Sequence, residues 1–556
     1  MLKQRSTRLL AAIALSATAM SAAAAQPGGS ADVDISADNL TRHVRMLASD
    51  AFQGRAPATA GEDRTIAYIS QAFAAAGLQP AGDHGGWTQA VPLVRASIDG
   101  DVEVSVSSHG QRQSLVNGDD IVVQTLKPVD EVDIRDAPLV FVGYGVHAPE
   151  RQWDDYKGVD LSGKIALVLI NDPDFETAQP GAFEGRGMTY YGRWTYKYEE
   201  LARQGALGAI IVHETAPAAY GWATVRSSGL SPRFDIVRSD AERYHSTVRG
   251  WIQRDLAVSL FKQAGLDFEK QKQRAQQAGF SPVALPETSL STRFKVKREQ
   301  VVTHNVIGKL TGSQRPDESV IYSAHWDAYG EGEADAQGDH IRHGAVDNAT
   351  GVAAVLELAR VSAAAPRPAR TQVFMALTAE EMGLLGAEYY VAHPLLPLQK
   401  TAAVINVEML SPDGPTRDIA SWGKGHVSLE QDLQRVARAH GRTYSPDPNL
   451  EAGFFYRADH FAFARGGVPA ITIGAGLDRI DGGVQAGRAL REAYFANCYH
   501  QPCDNWSGQW DASGQVRDVA LMYALGHGIA NSREWPAWLP ASEFAATRAA
   551  SDASRD

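Results

Sequence analysis

The chain has 556 residues, 44% hydrophobic and 21% charged, with a formal net charge of −12. That length exceeds one hydrophobic core and implies roughly two to four domains of an ordinary globular protein. The acidic balance argues against nucleic-acid binding through a basic surface.

Residues 1–25 read as a bacterial-type secretory signal peptide: Lys3, Arg5 and Arg8, then an apolar run from Leu9 to Met20, then Ala23-Ala24-Ala25 before Gln26. The expected location is therefore periplasmic or secreted. The apolar run is too short to span a bilayer, and no cysteine follows it that could carry a lipid anchor. Residues 26–40 read as a leader within an N-terminal segment, 26–120, of the main domain. Helical spacing follows at Leu40, Val44 and Leu47, and again at Ile66, Ile69 and Phe73, around the polar, turn-rich stretch SDAFQGRAPATAGEDR. Residues 87–120 alternate as strands.

Residues 121–250 change character, with short β-type runs at 137–145, 164–170 and 208–213 and a helix-like stretch from Tyr196 to Gln204. A Gln- and Lys-rich helical connector spans 251–289. Residues 290–535 alternate strand and helix: strands at 320–324, 371–377, 401–407 and 469–474, helices at 350–363, 380–392, 428–440 and 513–533. Such alternation predicts an α/β fold with a doubly wound sheet flanked by helices. Residues 536–556 read as a flexible tail.

Ligand-type residues follow the apolar strands of the last domain. His325 ends one in SVIYSAHWDAYG, Glu380 and Glu381 follow the next in TQVFMALTAEEMGLLG, and Glu408 follows a third in TAAVINVEML. Asp347 lies at a turn in HGAVDNATGV, and His500 in the late loop CYHQPCDNW. Open α/β sheets bind ligands at the carboxyl ends of their strands. Taken singly, a Glu-Glu pair can open a helix by dipole complementarity, and a lone His can be a surface group. A carboxylate inside INVEML, however, needs a partner when buried. Together His325, Asp347, Glu381, Glu408 and His500 could hold two zinc ions sharing one carboxylate, with Glu380 left over as a base. The only cysteines, Cys498 and Cys503, bracket His500. An oxidising compartment permits a bridge there, and two free thiols are the alternative.

The segments SAHWDAYG, GAVDNATG, TAEEMGLLG, INVEML and YHQPCD resemble metallopeptidase family twenty-eight, the co-catalytic di-zinc peptidases, over about residues 36–120 and 290–535. The resemblance implies a zinc-exopeptidase fold with two zinc ions. It implies that Asp347 bridges them through a cis bond to Asn348, that His325 and Glu408 hold one and Glu381 and His500 the other, and that Glu380 is the general base. It further implies that Asp327 orients the His325 ring and that Tyr499 donates to the oxyanion. VFVGYGVHAPERQWDDYKGVDLSGKIALVLINDP and YKYEELARQGALGAIIVHE resemble a protease-associated domain, a β-rich insert. The expected activity is removal of N-terminal residues from peptides, with Phe454, Phe455 and Tyr456 either lining an apolar pocket or belonging to the core. A carboxypeptidase or dipeptidase is the alternative, with Arg457 as the carboxylate partner. A one-zinc glutaminyl cyclase is disfavoured by the filled His325 position, and an inactive binding homologue by the intact set. No oligomeric state is implied.

Overall fold

In the computed structural model, which describes residues 33–177 and 181–555, a 28-residue strand, Val283–Leu310, joins two halves of one sheet. The expected signal peptide lies outside the described residues. At its carboxyl end the strand pairs antiparallel with Arg370–Leu377. Arg315–His325, Thr401–Val407 and Ala470–Ala475 follow, all parallel. Asp418–Ser421 then pairs antiparallel with Ala470–Ala475 and carries the edge strand Thr443–Ser445.

Toward its amino end the long strand pairs antiparallel with Glu131–Phe141, which leads through the parallel strands Ile165–Leu169, Gly208–His213 and Val248–Gln253 to antiparallel Ile121–Gln124, while Thr88–Ser108 lines its opposite edge. Residues 121–250 thus extend the sheet rather than hang from it by a linker, and Ile35–Asp556 form one compact unit. Phe141, Phe261 and Phe280 meet edge-to-face in the core of this second half, at 5.2 and 5.8 Å between centroids.

Strands buried on both faces read as unbroken apolar runs. All residues of Arg370–Leu377 and Thr401–Val407 are buried, and helices Thr350–Ala364 and Ser513–Asn531 pack against this block. Arg315–His325 lies between Arg370–Leu377 and Thr401–Val407, so the chain winds first to one side of it and then to the other. That reversal opens a crevice at the carboxyl end of the strand, where His325 sits.

Two expectations change. The helix expected over 380–392 forms only from Leu385 to Ala392. The amides of Glu380 and Glu381 instead donate to the Asp327 carboxylate, at 3.0 and 3.3 Å, which holds them in a loop. The expected flexible tail is docked: Trp538 and Phe544 are buried, Trp538 Nε1 donates to the Gly467 carbonyl at 3.0 Å, and Ala545–Ala549 is helical. Apolar aromatic burial outweighs the Ala- and Ser-rich composition there. Among the described residues no helix is long and apolar enough to cross a membrane.

Candidate metal centre

Three strand ends and two loops bring the acids and imidazoles together. The two Asp347 oxygens face different rings: Oδ1 lies 3.2 Å from His325 Nε2 and Oδ2 lies 3.2 Å from His500 Nε2. Glu408 Oε2 stands 3.2 Å from the same His325 nitrogen, and Glu381 Oε2 stands 3.3 Å from the His500 nitrogen. Donor atoms of His325, Glu380 and Glu408 fall within 4.8 Å of one another, as do those of His325, Asp347 and Glu381. All six residues expected to hold metal or act as base therefore lie in one cluster.

Their supports are specific. His325 Nδ1–H donates to the Asp327 main-chain carbonyl at 3.0 Å, which fixes the tautomer and leaves Nε2 as an electron-pair donor. The Asp327 carboxylate is farther from the ring, at 3.8 Å, and receives the Glu380 and Glu381 amides. Asp327 thus orients the ring through its carbonyl and uses its carboxylate to place the Glu380 loop, a division the resemblance did not imply. Glu408 is held at both oxygens, by Asn406 Nδ2 at 3.0 Å and Asn348 Nδ2 at 2.8 Å. The Asp347–Asn348 peptide is cis. The Asp504 carboxylate accepts from the amides of Val346 and Asp347, at 2.8 and 3.1 Å, and from the Tyr494 hydroxyl at 3.1 Å. Cys498 and Cys503 form a disulfide that closes the loop around His500.

Two phenols flank the His500 ring, Tyr499 at 3.6 Å and Tyr329 at 4.4 Å between centroids. Burial, together with the charges of Asp347, Glu381 and Glu380, raises the Tyr499 phenol well above its ordinary range, so it stays protonated as a donor must. Phe454, Phe455 and Tyr456 are buried, and Phe454 packs with Trp422 and Phe495 rather than lining open space alone.

The donor set fits zinc, which takes imidazole nitrogen and carboxylate oxygen. Glu381 Oε1 and His500 Nε2 are buried without a hydrogen-bond partner. Burial drives Glu380 well above the ordinary carboxylate range and Glu381 to about 8, with neighbouring carboxylates adding to both. A cation at this point relieves both penalties. Asp459, which the sequence reading missed, is fully buried beside the site with both carboxylate oxygens unpartnered, and lies in the fields of His325, Glu408, Asp327 and Glu381. Its local sequence, RADHF, opens a short helix and carries no signal of its own.

Imidazoles and carboxylates gathered at a switch point of a doubly wound sheet define a metallohydrolase-type centre. Residues 305–524, which contain every one of these ligand-type residues, match the model of Peptidase family M28. A probable zinc metalloprotease of Pyrenophora tritici-repentis (strain Pt-1C-BFP) is 39% identical over 212 residues, covering 37% of this chain and 47% of its own. Leupeptin-inactivating enzyme 1 of Streptomyces exfoliatus is 27% identical over 229 residues, covering 40% and 48%. The chain thus spans about half the length of these curated relatives. Among solved structures, an aminopeptidase from Aneurinibacillus sp. strain AM-1 is similar with a TM-score of 0.48 and 19% identity, over 89% of this chain and 93% of that one.

Proposed function

We propose that this chain is a di-zinc aminopeptidase that works in the periplasm or outside the cell and removes N-terminal residues from peptides. The observation that carries the reading is Asp347, each of whose oxygens meets a different imidazole that has its own second carboxylate. In that arrangement His325 and Glu408 would hold one zinc, His500 and Glu381 would hold the other, and Asp347 would serve both. Zinc bound there would supply a Lewis acid for the scissile carbonyl and for the attacking water. Glu380 takes the proton of the attacking water and hands it to the departing amine nitrogen. The Tyr499 hydroxyl donates to the carbonyl oxygen as charge builds on it. The surrounding carboxylates attract a free α-amino group, which accounts for exopeptidase selection. The charge-apolar-small order of residues 1–25 and the disulfide support an extracytoplasmic site. Residues 121–250 are read as a protease-associated insert beside the centre.

One observation favours a second reading, a dipeptidase or carboxypeptidase. Arg193 of the inserted half and Arg457 of the peptidase half have buried guanidinium nitrogens without hydrogen-bond partners. Burial lowers Arg193 to about 9, with repulsion from Arg457 adding to the shift, while Tyr499 pulls the other way. A substrate carboxylate would complete such a pair.

The deciding experiment is a substrate panel with zinc measured on the same sample. Leucyl- and phenylalanyl-p-nitroanilides should be cleaved and their N-acetylated forms refused, with two zinc ions per chain. Release of the C-terminal residue from N-acetylated peptides would move the protein to the second reading. No turnover of either class would remove both.

A further inference from the structure

We infer that Arg55 is a positioning residue of the metal centre, a single buried guanidinium that locks the His325 loop to the Asp347 loop. Arg55 belongs to the turn-rich stretch that the sequence offers no role, far in the chain from any ligand-type residue.

The contacts are complete and of one kind. Arg55 is fully buried. Its Nε donates to the carbonyl of Trp326, the residue between His325 and Asp327, at 2.8 Å. Nη1 donates to the carbonyls of Leu47 and His343, at 2.7 and 2.6 Å, and Nη2 to that of Gly344 at 2.7 Å. His343 and Gly344 begin the turn that delivers Asp347. The four acceptors therefore come from the first helix, the His325 loop and the Asp347 loop, and none is a carboxylate.

The backbone is shaped for this insertion. Gln53, Gly54 and Arg55 all have positive φ, at 50°, 65° and 50°. A Cβ on Gly54 would lie 2.6 Å from the Arg342 carbonyl and 2.7 Å from that of Gly330, so the turn touches both loops at once. Gly344, at φ +54°, is equally closed: a Cβ there would lie 2.8 Å from Arg55 Nη2 and 2.4 Å from the Asp347 carbonyl. The unneutralised cation also faces the fields of Asp504, Asp327, Asp347 and Glu381. It thus sets the spacing of the two loops and offsets part of the charge that they bring together. Lysine keeps the charge but cannot reach four carbonyls with a planar fork.

The inference rests on the zinc-peptidase reading, and the test separates the two. Arg55→Met, Arg55→Lys and Arg64→Ala are compared with wild type for zinc affinity by chelator competition, for kcat and KM, and for the metal-free Tm. Arg64 bonds the same turn from outside, at Ala51 O and Gln53 Oε1, and serves as control. Folded Arg55→Met should bind zinc about 10- to 100-fold more weakly and lose kcat more than it raises KM. Arg55→Lys should fall between it and wild type, and Arg64→Ala should match wild type. Where Arg55→Met does not fold, the zinc affinity of Arg55→Lys decides. Wild-type zinc affinity and kcat in the folded Arg55 variants, even with a lower Tm, would overturn the inference and leave the peptidase reading standing. A wild-type chain that binds no zinc would overturn both.

Discussion

Replacing Glu380 by Gln tests the proposed chemistry with the least disturbance. The amide has the same shape as the carboxylate, and the Glu380 backbone N–H keeps its 3.0 Å bond to Asp327. Burial, with Glu381, Glu408 and Asp459 adding to it against His325, keeps this carboxyl protonated in the metal-free protein, so the amide replaces a neutral group. The metal-free Tm should therefore not fall, and zinc content should stay near that of wild type. The base itself is lost. Positioned proton transfer contributes at least ~10²-fold to rate, or about 2.7 kcal/mol of barrier. Initial rates on leucyl-p-nitroanilide should drop by that factor or more, with zinc measured by elemental analysis on the same sample. Near-wild-type kcat at full zinc occupancy would remove Glu380 from the mechanism. Loss of zinc along with activity would make it a ligand instead.

Asp347→Ala and His500→Ala each delete a ligand-type residue and should lose zinc together with activity; full occupancy in both would refute the ligand assignment. Arg457→Ala should leave leucyl-p-nitroanilide turnover within about twofold if the aminopeptidase reading holds, a change well under the ~1.4 kcal/mol of a tenfold effect. Reducing Cys498–Cys503 frees the short loop around His500, which costs about 2 kcal/mol of ordering, so zinc affinity should weaken by roughly 30-fold while far-UV circular dichroism is unchanged. In protein stripped of metal, Glu381 titrates at about 8 against an ordinary 4.5. The fold then holds a proton that the unfolded chain has released, so this contribution is present in full below pH 4.5 and is lost as pH rises through 8. Urea midpoints of the stripped protein should fall across that window, and a flat profile would contradict the burial assigned to Glu381.

Local sequence determined a good deal here. The largely apolar runs ending in His325 and preceding Glu380 and Glu408 needed no tertiary knowledge, because a strand buried on both faces carries mostly apolar side chains and leaves its metal-binding acids and imidazoles to its carboxyl end. The strand-helix alternation from residue 315 onward followed from the same periodicity. Cys498 and Cys503 lie five residues apart, within reach of a bridge in a tight loop.

Other features depend on which distant segments meet, and local pattern carries no trace of that. Asp327 was read as a ring-orienting carboxylate, but its oxygens take the Glu380 and Glu381 amides because the neighbouring parallel strand ends at the same level. The aromatic residues of the tail were hidden among Ala and Ser, and only the site where Trp538 and Phe544 dock makes them core. The continuity of the sheet through Val283–Leu310 arises because one long strand pairs with a different half of the sheet at each of its ends. Arg55 is the extreme case. In sequence it is one cation in a polar turn, and it acquires meaning only because folding surrounds it with the carbonyls of Leu47, Trp326, His343 and Gly344. Periodicity and burial are properties of short windows, whereas convergence of hydrogen-bond partners across hundreds of residues belongs to the assembled fold alone.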